Sequence, residues 1–451
     1  MRIKKDILNI FKSHIGLWAT AICLLINSSN IFAQVSTATN NIFLRPYKKN
    51  AIFYSKHQVG FSLKLKSNTP ERQRGTISVD LKNASNGTVF HENLSIYVGS
   101  RSSYSKDLDF GSLGLLSGIY TVLINVTTNA GVTTEHFSFV LNPESIQFKN
   151  FRPADFSNFW DETKRELAAV NPNYTIKKRV DLSNSRADVF TVEFQSLDNL
   201  TIRGFLTIPN KRGPFPVMCM FPDYVTEMKP EFMTNTAVLT VNVRGIGNSR
   251  DKIKAEFPQY LNLDVNNKKR FVYRGVYMDC YRSVDFILKQ GHTLNLDTSQ
   301  ILLKGVGQGA GLCAVTAVLS PYIRGIIMER PLLLDIRNMI AHAELYKPAY
   351  WPATAMIEYC GGKISALTKD MLMKNWDYFD PVNFAPYIPC PILYGFAYKN
   401  NMNPSICSYN FLSQLRVDTK DILMCNDCET EMDDKFSGFQ GTWINEILNI
   451  P

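Results

Sequence analysis

Histidine is scarce in this chain of 451 residues: there are six, and none lies beyond His342. The final 109 residues therefore supply no imidazole as a base, a metal ligand or a neutral-pH switch. No dense basic run accompanies the formal charge of +9, so the electrostatic footprint of nucleic-acid binding is missing. Residues 41–142 contain neither cysteine nor tryptophan, which excludes an antibody-type domain there. Cys425-Asn426-Asp427-Cys428 has metal-ligand spacing, but no second such pair or nearby histidine completes a zinc site. A local disulfide or two unrelated thiols is the reading left, and no metal is expected.

What is present begins with a leader. Arg2, Lys4 and Lys5 precede the apolar segment Ile15 to Ile26, and Ile31-Phe32-Ala33 offers a cleavage site before Gln34. The apolar segment is shorter than the roughly 20 residues that span a bilayer. Residues 1–33 read as a signal peptide whose removal takes the formal charge from +9 to +6. The mature chain is then exported (periplasmic, cell-surface or secreted) with no membrane span. In that setting some of its eight remaining cysteines can pair. Cys219, Cys313 and Cys390 lie in apolar contexts and are expected as buried thiols.

From residue 41 to 142, short runs alternate apolar and polar residues, as in Phe61-Ser62-Leu63-Lys64-Leu65 and Thr76-Ile77-Ser78-Val79-Asp80-Leu81. Turn signals such as Asn86-Gly87 separate them. About seven strands in about 100 residues suggest an immunoglobulin- or fibronectin-like β-sandwich, a spacer or a carbohydrate-binding module. After a linker at Pro143-Glu144-Ser145, residues 151–451 alternate strands with helices. Val217 to Phe221, Ala237 to Val243, Ile301 to Lys304, Ile323 to Met328, Ile392 to Phe396 and Asp421 to Cys425 are expected as sheet strands. Phe190 to Gln195 and Ile202 to Ile208 are expected as a pair. The expectation is an α/β domain, mostly parallel, with helices on both faces.

Within it, Gly305-Val306-Gly307-Gln308-Gly309 joins a strand to a small-residue helix, the setting in which G-x-S-x-G presents a nucleophilic serine. Gly307 holds the serine position and has no side chain. From about Phe151 onward the chain resembles the acetyl xylan esterase/cephalosporin C deacetylase family of α/β-hydrolases. The resemblance rests on Asp155-Phe156 with Phe159-Trp160, on Asn242-Val243-Arg244-Gly245-Ile246-Gly247-Asn248-Ser249 and on Tyr273-Arg274-Gly275-Val276-Tyr277-Met278-Asp279. It is completed by Asp377-Tyr378-Phe379-Asp380 with Ile388-Pro389-Cys390-Pro391-Ile392-Leu393.

The resemblance implies an α/β-hydrolase fold, deacetylation of small acetylated sugars by a Ser-Asp-His triad, and no cofactor or metal. It also places Lys399 at the acid position and Thr430 at the histidine position. The backbone amides of Tyr224 and Gln308 correspond to the oxyanion hole, beside Asp223, whose negative charge opposes an oxyanion. Tyr273, Tyr277 and Trp351 are candidates to stack on sugar rings, while His342 falls in a cap-like segment. The leading expectation is an exported pseudoesterase for glycan binding or scaffolding, with acetylated oligosaccharides or polysaccharide as partner. Its alternatives are an active carbohydrate esterase with relocated catalytic groups, for which Cys407, Cys425 and Cys428 are candidate thiols, and a structural envelope protein. The family's closed oligomers make a homo-oligomer an expectation as well.

Overall fold

Period-two alternation builds two facing sheets at the N-terminus. The computed structural model describes residues 40–48, 51–84, 86–146, 148–149, 151–346, 352–361, 369–399, 403–427 and 431–448; the leader lies outside them. The first eight strands are β1 (Asn40–Pro46), β2 (Ile52–Phe53), β3 (Gly60–Ser67), β4 (Gln73–Asn83), β5 (Thr88–Val98), β6 (Ser103–Asp109), β7 (Gly118–Thr128) and β8 (Gly131–Leu141). They form a three-stranded sheet, β1-β3-β6, and a five-stranded one, β2-β8-β7-β4-β5. Leu63, Leu65, Ile77, Val79 and Phe139 fill the space between them. Phe61 and Phe137 join the layers with ring centroids 5.3 Å apart.

Nine further strands make one sheet: β9 (Thr175–Lys178), β10 (Ala187–Gln195), β11 (Thr201–Pro209), β12 (Phe215–Phe221), β13 (Ala237–Asn242), β14 (Leu296–Val306), β15 (Ile323–Glu329), β16 (Ile392–Lys399) and β17 (Lys420–Asp427). The order is β17-β16-β15-β14-β12-β13-β11-β10-β9. The strands from β17 to β13 run parallel. The pairings of β13 with β11, β11 with β10 and β10 with β9 are antiparallel. Continuous apolar runs such as Ala237–Val241 are buried on both faces because helices cover the parallel part. Those helices are α1 (Phe156–Ala168), α2 (Val272–Gln290), α3 (Gln308–Leu319), α4 (Ile336–Tyr346), α5 (Ala353–Gly361), α6 (Lys369–Trp376), α7 (Ser405–Gln414) and α8 (Glu431–Leu448). None of the described helices is long and apolar enough to cross a membrane.

Cys219, Cys313 and Cys390 are buried free thiols, as their apolar contexts suggest, and so are Cys280 and Cys407. Cys428 lies outside the described residues.

The β-sandwich is not a detached spacer. The outer side of β7 and β8 is covered by the C-terminal region, where Ile119 and Val140 join its core cluster. Thr121 and Ser138 are buried beside them, their hydroxyls 3.0 Å apart. His136 of β8 meets His342 of α4 with ring centroids 5.4 Å apart. Burial, helped by the charge of His136, lowers His342 to about 3. An imidazole kept neutral in the fold opposes acidification: stability falls as pH drops from the ordinary value of 6.5 towards 3. The buried Asp335–Asp380 pair acts in the opposite sense, because burial raises both carboxyls. The measurement is therefore a difference between chains that share that pair. From pH 6.5 to 4 the wild type should lose about 2–3 kcal/mol more than a His342→Leu variant in chemical denaturation. Parallel pH profiles would place His342 in solvent.

Candidate functional site

Residues that follow the parallel strands collect at the carboxyl ends of the sheet, where open α/β folds place their sites. Asp223 follows β12, Gly307 follows β14, Arg330 follows β15, and Lys399 ends β16 opposite Asp427. Of Lys399 only the backbone is described, and Thr430 and Trp351 lie outside the described residues. The candidate acid is thus placed by its strand, while the candidate histidine position and Trp351 are not placed.

Gly307 makes the sharp turn from β14 into α3 at φ 57° and ψ −120°. Its N–H donates to the Glu329 carbonyl at 2.9 Å, and its carbonyl accepts from the Leu332 N–H at 2.9 Å. This backbone is strained for a residue with a side chain, by about 1–3 kcal/mol. Glycine adopts it without that penalty. A Cβ built on Gly307 would lie 2.0 Å from Asp223 Oδ1 and 2.6 Å from Asp223 Oδ2. The space that a side chain at position 307 would need is therefore filled by a carboxylate.

That carboxylate is held by two backbone donors. Asp223 Oδ1 accepts the N–H of Tyr224 at 2.7 Å and that of Gln308 at 2.8 Å. Both amides converge on one oxygen at distances suited to an oxyanion. Gln308 also begins α3, a 12-residue helix whose positive dipole end faces the charge. Burial pushes the Asp223 carboxyl above its ordinary value; the two N–H bonds and the Arg330 charge pull it back. The sequence places a negative charge beside these two amides. The structure bonds its oxygen to both of them, which follows from a short side chain one residue before Tyr224 folding onto its own backbone.

Tyr273 and Tyr277 correct an expectation. They are 1% and 3% exposed. Tyr273 Oη donates to Gln308 Oε1 at 2.5 Å, and Tyr277 Oη to the Phe379 carbonyl at 2.5 Å. Their rings pack on Trp376 and Trp160, leaving no face for a sugar. The cause is α2, buried on nearly every side, so aromatics on it are core wherever they point. Tyr224 is also mostly buried, with its hydroxyl on the Pro258 carbonyl. Cys407 is buried and its thiol is raised well above the ordinary value by burial, which leaves it inert as a nucleophile.

Sequence reasoning missed the support beneath this site. Arg244, in the turn after β13, donates from Nε to Asp279 Oδ2 at 2.9 Å and from Nη2 to Oδ1 at 2.8 Å, and its own N–H also donates to Oδ2 at 2.9 Å. Asp279 is completely buried on α2. An arginine ending an apolar strand and an aspartate on an apolar helix were the available signal.

The acetyl xylan esterase (AXE1) family model matches residues 144–445. The acetyl esterase Axe7A of Xylanibacter ruminicola is 22% identical over 298 residues, which are 62% of this chain and 64% of that protein. The chain thus spans less than two thirds of that relative's length. Among solved structures, acetyl xylan esterase 1 from Thermoanaerobacterium sp. superposes with a TM-score of 0.60 at 18% identity, over 68% of this chain and 97% of its own. The acetyl xylan esterase of Paenibacillus sp. R4 gives 0.60 at 20%, over 67% and 98%. At such identities the likeness is one of fold.

Proposed function

This chain belongs to the acetyl xylan esterase family, with the α/β-hydrolase fold, and from that premise we propose that it binds acetylated glycans without hydrolysing them. The observation that carries the proposal is the carboxylate of Asp223, bonded to both amides that would otherwise stabilise an oxyanion. An ester carbonyl needs those donors free and a nucleophile within about 3 Å of its carbon. Here Gly307 offers no nucleophile, Lys399 stands at the acid position, and Thr430 at the histidine position. Loss of a whole triad costs roughly 10^6 in kcat. Export by way of residues 1–33, and self-association, belong to the same proposal.

Acetate release from acetylated xylo-oligosaccharides and hydrolysis of 4-nitrophenyl acetate test it. The mature wild type is run beside Gln308→Pro, which removes one N–H at the first turn of a helix, where proline is tolerated. The two proteins should not differ, and calorimetric titration with the same oligosaccharides should show binding. Turnover that disappears in a folded Gln308→Pro protein would establish the active-esterase alternative instead. An absence of binding as well as turnover would leave scaffolding.

A further inference from the structure

The sandwich presents two outer faces, and the molecule treats them differently. Part of the five-stranded sheet's outer face is buried against the hydrolase domain through Ile119, Thr121, Ser138 and Val140. The outer face of β1-β3-β6 is open to solvent. Strand register sets its composition. Phe43 lies opposite Lys64, and Lys64 opposite Ser105, so one row across the sheet reads Phe-Lys-Ser. The flanking rows add Lys66, two residues along the same strand, and Arg45, opposite Ser62. Neighbouring strands are about 4.8 Å apart and same-face residues about 6.8 Å, so Lys64 neighbours Phe43 across the strands, Arg45 follows it along its own strand and Lys66 lies on the diagonal.

None of Arg45, Lys64 and Lys66 forms an ion pair among the described residues, although basic side chains elsewhere in the molecule commonly do. Lys106, on the opposite side of β6, pairs with Glu92 at 2.5 Å. The acids on the open face are Asp107, opposite Ser62, and Asp109, opposite Gly60, both towards the end of the sheet away from Lys66. Phe43 is 41% exposed. Together Phe43, Arg45, Ser62, Lys64, Lys66 and Ser105 line a shallow depression of about 340 Å³.

We propose that this face binds an anionic polysaccharide, one whose sugars carry carboxylates. Phe43 supplies a flat apolar surface for a pyranose ring, the cations meet carboxylates on either side, and the serine hydroxyls bond sugar hydroxyls. A polymer suits the geometry better than a small anion, since the cations are spread along the strands on an open face rather than converging in a pocket. The face is distinct from the candidate esterase site, and the inference holds whether or not that site turns over esters.

The test is titration of the full mature chain with polygalacturonate and with the same polymer fully methyl-esterified. Binding is expected for the first and not for the second, weakening as salt rises. Lys64→Glu/Lys66→Glu should loosen it at least about tenfold. Phe43→Ala should loosen it roughly fivefold while leaving the salt dependence intact. These side chains are exposed, and an unchanged melting temperature identifies a folded variant. Binding of acetylated xylo-oligosaccharides by the double variant should equal that of wild type, which keeps this result separate from the function proposed above. Equal binding of both polymers, binding indifferent to the charge reversal, or binding of poly(dT) or phosphatidylglycerol vesicles as tight as that of polygalacturonate would overturn the proposal.

Discussion

Replacing Gly307 by serine is expected to cost about 3 kcal/mol of stability and to yield no esterase activity. Two penalties add. A side chain at φ 57° and ψ −120° is strained, and its Cβ would enter the space of the Asp223 carboxylate, 2.0 Å from Oδ1. The new hydroxyl would also lack an imidazole to take its proton, because no histidine follows His342 in the chain. Adding Asp223→Gly removes the clash while the backbone strain remains, so the double variant should be more stable than the sum of the two single changes implies. It also leaves the amides of Tyr224 and Gln308 without their acceptor, so acetate in the buffer should raise the melting temperature of the double variant and not that of wild type. Urea denaturation of the four proteins checks the cycle. A Gly307→Ser protein as stable as wild type would mean that the carboxylate does not occupy that space.

The second large effect concerns Asp279. Asp279→Ala should destabilise the protein by about 3–5 kcal/mol, because it strands the buried guanidinium of Arg244. Arg244 is 4% exposed, and its remaining acidic partner, Asp198 at 3.2 Å, is largely in solvent. The Arg244 carbonyl also accepts from Tyr260 Oη at 2.6 Å, so the loss reaches the turn that supports Tyr224. Small domains hold only about 5–15 kcal/mol in total, and the single variant should be poorly soluble at 37 °C. Arg244→Met/Asp279→Leu should cost less than either single change, since apolar residues of similar volume replace a buried ion pair at little net expense. The folded fraction after expression and the urea midpoint measure both. If the double change costs as much as the sum of the singles, the two residues are not coupled.

Much of the sheet could be read in advance because its strands are apolar on both faces and lie between helices. Val217–Phe221, Ala237–Val243 and Ile392–Phe396 fall within a residue or a few of β12, β13 and β16. β14 begins earlier than expected, at Leu296, because Asp297, Thr298 and Ser299 are polar. β9 escaped notice: it is a four-residue edge strand whose exposed pattern differs little from a loop. The sandwich has eight strands where about seven were expected, the extra one being the two-residue β2.

At the site, the strand-to-helix turn at Gly307 was legible from its glycine spacing, and the resemblance singled out the amides of Tyr224 and Gln308 that the structure brings together. The rotamer that folds Asp223 onto them was not, since it depends on the absence of a side chain 84 residues later. Gly275 illustrates the same limit. A Cβ there would lie 1.8 Å from Arg244 Nη1, so a glycine in a helix is required by an arginine from another element. Sequence shows the glycine, and only the packed structure shows what approaches it.

The seam between the sandwich and the hydrolase domain also sets a problem of timing. Synthesis delivers β1 to β8 before the sheet that covers Ile119 and Val140 exists. Until residues beyond 400 have emerged and β16 has taken its place beside β15, the finished sandwich carries an uncovered apolar seam next to open strand edges. A chain in which only the sandwich had formed would expose that seam to solvent, so burying it depends on closure of the large sheet.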